Sequence, residues 1–222
     1  ALPGEVVTGV LDGETLRDPK ILKPSDSRVR PPCSHAKSCG GCQLQHASDA
    51  FVASWKLDVV RQALNAHGIA VPLEASITSP AQSRRRATFS AKRTKKGAMA
   101  GFHMKGSDTI VPVPNCQLVR PELTAALPMV EALGVLGASR KGELSVLVTC
   151  TDTGLDVSVT GGKDMDLTLN QALADLAREY DLVRGSWNGE TALQRRVPVL
   201  RLGAAEVSPP PGAFLQATKE GE

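Results

Sequence analysis

The chain has 222 residues, enough for one large domain or two small ones, and only 3% are aromatic, so aliphatic side chains must build most of the core. Its 26 basic and 23 acidic residues leave a net charge of +3, which selects no partner by itself. There is no run of about 18 apolar residues and no charged-then-apolar leader, so a helical membrane span and a secretory signal are excluded within these residues; a cytoplasmic monomer is expected.

Residues 1–30 alternate as short strands with turn chemistry: Glu5 to Leu11, a turn at Asp12-Gly13, then Thr15-Leu16 and Lys20 to Leu22. They are too few to close a barrel, and are expected to be part of a small β domain. A cysteine-bearing loop fills residues 31–46. The pattern then predicts a helix from Asp49 to His67, with Ser48 as its cap, Val52, Trp55, Val59, Val60 and Leu64 on one stripe, and Gly68 as its stop. Residues 84–93 and 98–113 read as strands joined by a turn at Lys95-Lys96-Gly97, and Pro121 to Leu133 as a helix. Leu144, Val146, Val148 and Cys150 alternate with polar neighbours, as do Leu155, Val157 and Val159 beyond Asp152-Thr-Gly154, which predicts a hairpin. Cys150 shares the aliphatic face and reads as a buried structural thiol. An amphipathic helix is predicted over 167–180, and Ser208-Pro-Pro-Pro-Gly212 reads as a stiff linker ending regular structure.

The residues richest in chemistry are Cys33, Cys39, Cys42 and, far downstream, Cys116. Thiolates are soft ligands, so a group of them selects iron–sulfur clusters, zinc or cuprous copper over hard cations. Gly40 and Gly41 permit a tight turn and leave room beside the loop. Five residues separate Cys33 from Cys39, a wider gap than the two to four of a zinc knuckle, and with a distant fourth cysteine this favours a [4Fe–4S] cubane over zinc. Disulfides are the alternative, but cysteines at this spacing with no secretory signal suit a reducing compartment better.

A second signal is charge distribution. No Asp or Glu occurs between Glu74 and Asp108, a stretch that contains Arg84, Arg85, Arg86, Lys92, Arg93, Lys95 and Lys96. In an extended strand Arg84 and Arg86 project one way and Arg85 the other. With the lysines at the hairpin tip they would form a positive ridge suited to a phosphate backbone, and Phe102 and His103 on the returning strand would offer flat surfaces to unpaired bases. The competing reading is a solvated hairpin whose arginines pair with carboxylates elsewhere.

The run Cys33-x5-Cys39-Gly-Gly-Cys42-Gln43-Leu44-Gln45-His46, followed in order by Arg84-Arg85-Arg86, Gly101-Phe102-His103 and Cys116, resembles the iron–sulfur RNA uracil-5 methyltransferases that make 5-methyluridine in ribosomal and transfer RNA. The resemblance covers essentially the whole chain. It implies an α+β architecture. Residues 1–30 would be the second half of a TRAM barrel of oligonucleotide-binding type, a truncated β domain. Residues 31–208 would be a central RNA-binding domain of antiparallel hairpins with flanking helices, its [4Fe–4S] cluster held by Cys33, Cys39, Cys42 and Cys116. Residues 209–222 would be a linker and the opening of a doubly wound methyltransferase domain, with Gln216 contacting S-adenosylmethionine. The helix at 49–67 resembles a segment that packs on that last domain in the family. Nothing here matches the family's glycine-rich turn, its ribose-binding acid, its cysteine nucleophile or its general base. The expectation is therefore a fragment with no catalytic residues and no activity of its own, contributing RNA capture. The alternative is a stand-alone RNA-binding module with a structural zinc or cluster; a radical S-adenosylmethionine enzyme fits less well, because its cysteine loop is tighter and leaves one iron open.

Overall fold

The computed structural model describes residues 1–222 and divides into two compact units, one of residues 1–32 and 42–78 and the other of residues 33–41 and 79–222. In the first unit, β1 (Val6–Asp12) and β2 (Thr15–Lys23) form an antiparallel hairpin. Its loop begins with Gly13 at φ +58°, a left-handed backbone that glycine takes without a Cβ clash. The two strands form a sheet of their own rather than a closed barrel, and Val10 and Leu11 face solvent.

One carboxylate organises this unit. Glu5, whose side chain is fully covered, accepts hydrogen bonds from Leu2 N at 2.6 Å, Ser25 N at 3.1 Å and Arg28 Nη2 at 2.7 Å, and also pairs with Arg28 Nε. It thereby ties the chain ahead of β1 to the segment after β2. Backbone bonds from Val29 N to His46 O (3.0 Å) and Ser48 N to Ser27 O (2.8 Å) then lead into α1 (Asp49–Ala66). Ser48 Oγ accepts from Phe51 N at 3.3 Å, a helix cap that satisfies one otherwise unpaired donor. The predicted helix is thus present, but none of its residues is buried: Trp55, Val59 and Val60 are 43–48% exposed.

The second unit is built on a seven-stranded sheet. Its strands are β3 (Arg86–Thr94), β4 (Gly97–His103), β5 (Ile110–Val111), β6 (Glu143–Thr151), β7 (Gly154–Thr160), β8 (Leu182–Trp187) and β9 (Glu190–Gln194), in the order β5-β4-β3-β6-β7-β8-β9. Every neighbouring pair is antiparallel except β7–β8, whose parallel pairing needs a crossover, supplied by α4 (Leu167–Glu179). Helices α2 (Pro121–Ala125), α3 (Leu127–Gly137) and α4 supply the rest of the core. Alternation explains the packing: Ala87, Phe89 and Ala91 on β3 and Leu144, Val146 and Val148 on β6 are buried with Leu133 of α3 and Leu173 and Leu176 of α4.

Trp187 locks the helix layer to one end of the sheet. A Cβ on Gly137, the last residue of α3, or on Gly162, between β7 and α4, would lie 2.1 Å from its ring. Its Nε1 donates to Lys163 O at 2.8 Å, and Lys163 N donates to Gly137 O at 3.0 Å. Residues 181–207, for which the sequence pattern predicts no element, contain β8, β9 and a small separate hairpin of β10 (Leu200–Leu202) and β11 (Ala205–Val207). The antiparallel hairpins expected from sequence are therefore parts of one larger mixed sheet.

The opposite sheet face is polar, and the C-terminal segment crosses it. Arg184 on β8 and Asp156 on β7 form a buried bidentate pair (2.9 and 2.7 Å), and Arg184 Nη2 also donates to Pro209 O at 2.8 Å. Gly212 then lies over Ser158 of β7, while Arg86 Nη1 donates to Leu215 O at 3.1 Å on β3. The Pro-rich stretch makes no internal ladder, so the Pro209 carbonyl is available to Arg184. The linker predicted from Ser208 to Gly212 is a strap docked on the sheet.

Two outcomes follow from these anchors. Replacing Arg184 with Met strands the buried Asp156 carboxylate and is expected to destabilise the second unit by about 3–5 kcal/mol in denaturant titrations, whereas adding Asp156→Leu should recover much of that loss. In the first unit, the hydrogen bond from Arg28 holds the Glu5 carboxyl well below its ordinary value of 4.5. Its stabilisation is therefore complete above that value and lost as pH falls through the lower folded one, so protection of the Ser25 amide from hydrogen exchange should decline in acid and lose this pH dependence in Glu5→Gln.

Candidate functional site

The cysteine loop of the second unit, residues 33–41, is fastened to the end of β4. Cys39 bridges to Met104, and Gly40 N donates to His103 O at 2.8 Å. A Cβ on Gly40 would sit 2.9 Å from that same oxygen, so glycine is what permits the close approach. On the far side of the pairing, β5 adds to β4, and the chain turns at Val113–Cys116, where Cys116 N donates to Val113 O at 3.2 Å. Cys116 is buried in the main hydrophobic cluster, and Cys39 packs against that cluster. The β4–β5 edge thus positions both residues, although 77 positions separate them in sequence (116 − 39).

Backbone donors point at both sulfurs: Gly41 N to Cys39 Sγ at 3.4 Å and Leu118 N to Cys116 Sγ at 3.5 Å. Amide N–H groups aimed at sulfur in this way are the donors that surround metal-bound cysteines. Nε2 of His35, within the same loop, is buried without a hydrogen-bond partner. Cys33 and Cys42 are half-buried, and Cys42 directly follows Gly41. No three His, Cys, Asp or Glu side chains are placed to hold one ion. The donor chemistry, sulfur with N–H support, fits a soft metal or an iron–sulfur cluster. Cys150 is different: burial pushes its thiol up to about 11 and the Glu122 carboxylate adds to the effect, so it remains a protonated core residue.

The basic ridge separates into two groups. Lys92, Arg93, Lys95 and Lys96 are exposed on the last turns of β3 and the tip of the hairpin, as expected. The arginines before them are largely engaged by the chain itself. Arg85 is 6% exposed; its Nε donates to Gln216 O at 3.3 Å, its backbone N to Ala217 O at 2.8 Å, and its Nη2 pairs with Glu222. Arg86 holds Leu215 O and lies 5.7 Å from the Phe214 ring, and burial lowers its pKa from the usual value. Arg84 Nε donates to Arg86 O at 3.0 Å. Arg85 is thus removed from the expected ridge by its buried bonds to the strap, and Arg86 is partly withdrawn.

Phe102 also departs from expectation. It stacks on the fully buried Phe89 with ring centroids 5.0 Å apart, on the helix side of the sheet, and is packed rather than available to an unpaired base. His103, one residue later, points to the polar face, where its Nε2 lies 3.1 Å from Ser90 Oγ and 2.7 Å from Glu143 Oε1. Glu143 carries no signal in the sequence, because its register opposite Lys92 arises from pairing of β3 with β6. Gln216 is exposed near the end of the strap, on a surface it shares with Leu202, Phe214 and Leu215. In the first unit, burial and the Arg28 charge lower the pKa of His46.

No family model matches the chain. Over its full length it is 35% identical to a protein of Brucella suis biovar 1 named as an uncharacterized RNA methyltransferase and 37% identical to a similarly named protein of Caulobacter vibrioides. It spans about half the length of these relatives, 53% and 55%. It is also 38% identical over 150 residues, 64% of this chain and 34% of the relative, to a protein of Vibrio parahaemolyticus named 23S rRNA (uracil(1939)-C(5))-methyltransferase RlmD. No helix is long and apolar enough to cross a membrane.

Proposed function

We propose that this chain is the RNA-binding, cluster-carrying portion of an S-adenosylmethionine-dependent RNA (uracil-C5) methyltransferase. The observation that carries this reading is the full-length similarity to proteins named RNA methyltransferases, alongside a hairpin tip whose four cations have no carboxylate partner among the ion pairs. Lys92, Arg93, Lys95 and Lys96 neutralise RNA phosphates, releasing counterions and making binding depend on salt. His103 presents its ring beside them on the polar sheet face, held by Glu143.

Cys33, Cys39, Cys42 and Cys116 hold a [4Fe–4S] cluster in this reading. These thiolates would hold the cluster, which would supply structural cross-linking suited to a chain with few aromatics. Gln216, displayed by the strap, contacts the methyl donor. Support for these finer assignments comes from the sequence resemblance, the soft donor set and the N–H groups aimed at Cys39 and Cys116.

Replacing Lys95 and Lys96 with Glu should weaken binding of a labelled oligouridylate by about tenfold or more at ~0.1 M salt and flatten the salt dependence. Unchanged anisotropy titrations would defeat the assignment of this tip. For the cysteines, anaerobically purified protein should carry iron and sulfide in equal amounts, and Cys116→Ser should lose the iron and melt at lower temperature. One zinc per chain and no iron would instead identify a zinc site.

A further inference from the structure

The register of β3 with β6 adds cations to the hairpin tip that the sequence holds far from it. Lys92 is paired with Glu143, so the α3–β6 connection, residues 138–142, emerges beside the last residues of β3. That connection carries Arg140 and Lys141, both exposed, at the crest of a turn in which Gly142 N donates to Ser139 Oγ at 2.7 Å. Neither side chain takes part in any of the ion pairs. The next connection along this sheet end, between β7 and α4, exposes Lys163.

These loops are braced. Trp187 sits in the slot left by Gly137 and Gly162 and holds Lys163 O, while Lys163 N holds Gly137 O, so the β7–α4 loop is fastened to the helix end from which Arg140 and Lys141 emerge. A charged turn on a braced base loses less freedom on binding than one on a mobile loop. The carboxylates at this end are Glu143, bonded to His103; Asp166, which caps α4 by accepting from Leu169 N at 2.6 Å; Asp164, next to Lys163 in the β7–α4 connection; and Glu190 at the start of β9. Positive charge is therefore concentrated over β4, β3 and β6.

We infer that Arg140 and Lys141 form a second prong of the nucleic-acid surface, gripping RNA phosphates adjacent to those held by the β3–β4 tip. This inference rests on the RNA-binding reading above and extends it to a loop that the basic run at 84–96 does not include. Two neighbouring strands lie about 4.8 Å apart, so the two prongs address successive parts of one backbone rather than separate molecules.

The test compares salt dependence of oligouridylate binding by the whole 222-residue chain in three forms: unaltered, Arg140→Glu with Lys141→Glu, and a control with Arg178→Glu and Arg201→Glu. The control reverses the same amount of charge at exposed ion pairs: Arg178 lies in the last turn of α4, just before the start of β8, and Arg201 N bonds Asp152 in the β6–β7 turn, both at the opposite sheet end. Loss of two phosphate contacts is expected to lower the slope of log affinity against log salt by about 1.4 and to weaken binding about tenfold at ~0.1 M salt, with the control close to the unaltered chain. The milder Arg140→Gln with Lys141→Gln, checked by circular dichroism, should shift in the same direction and guards against a folding defect. If the unaltered chain binds and the Lys95/Lys96 reversal weakens it, but the Arg140/Lys141 forms match the control, this inference is overturned alone. If the unaltered chain shows no salt-dependent binding, the RNA-binding reading falls and takes the inference with it.

Discussion

The second unit depends on guanidinium groups placed on the polar side of a sheet. Arg184, paired with Asp156, reaches Pro209; Arg86 reaches Leu215; Arg85 reaches Gln216 and Glu222, while its backbone N holds Ala217 O. Together they fix points of the C-terminal segment from Pro209 to Glu222. An apolar contact would hold the strap without specifying its register, whereas fixed donor geometry assigns each carbonyl to a particular strand. Gln216 and its neighbours are displayed where they are because these arginines grip the residues on either side.

The same arginines show how a composition signal divides once strands pair. Arg84 to Arg86 and Lys92 to Lys96 read as a single basic run, yet the run has two physical roles. Near its start, partners from the far end of the chain bury Arg85 and occupy Arg86. At its end, no carboxylate answers the lysines, and the field remains directed to solvent. A charge that is desolvated and bonded adds little to steering, while one left in water at the tip of a hairpin adds most.

The cysteine loop shows a similar division of labour between short and long range. The local features, Gly40 against His103 O and the N–H groups aimed at sulfur, are properties of the turn. The position of Cys116 is not local, since β5 must pair with β4 before the chain after Val111 returns to that edge. The relatives matched along the whole chain are named RNA methyltransferases, and the loop and the β4–β5 edge both lie within the matched residues.

Much of this protein was legible in its residues because the signals were periodic or local. Helix α1 with its Ser48 cap, helix α4 and the strands carrying alternating Leu144, Val146 and Val148 follow from side-chain spacing and capping chemistry alone. The sequence hid β8, where Arg184 and Gly185 interrupt the alternation that marks a half-buried strand; Arg184 is tolerated there only because Asp156, 28 residues earlier, is buried against it. It likewise hid the fates of Arg85 and Phe102, whose partners Glu222 and Phe89 are chosen by long-range packing. Sequence by itself determined which segments extend, which coil into helices and which residue types carry charge or sulfur, because those depend on neighbours along the chain. Tertiary structure alone decided which charges stay in water and which cysteines share an edge, because desolvation and pairing depend on groups that only folding brings together.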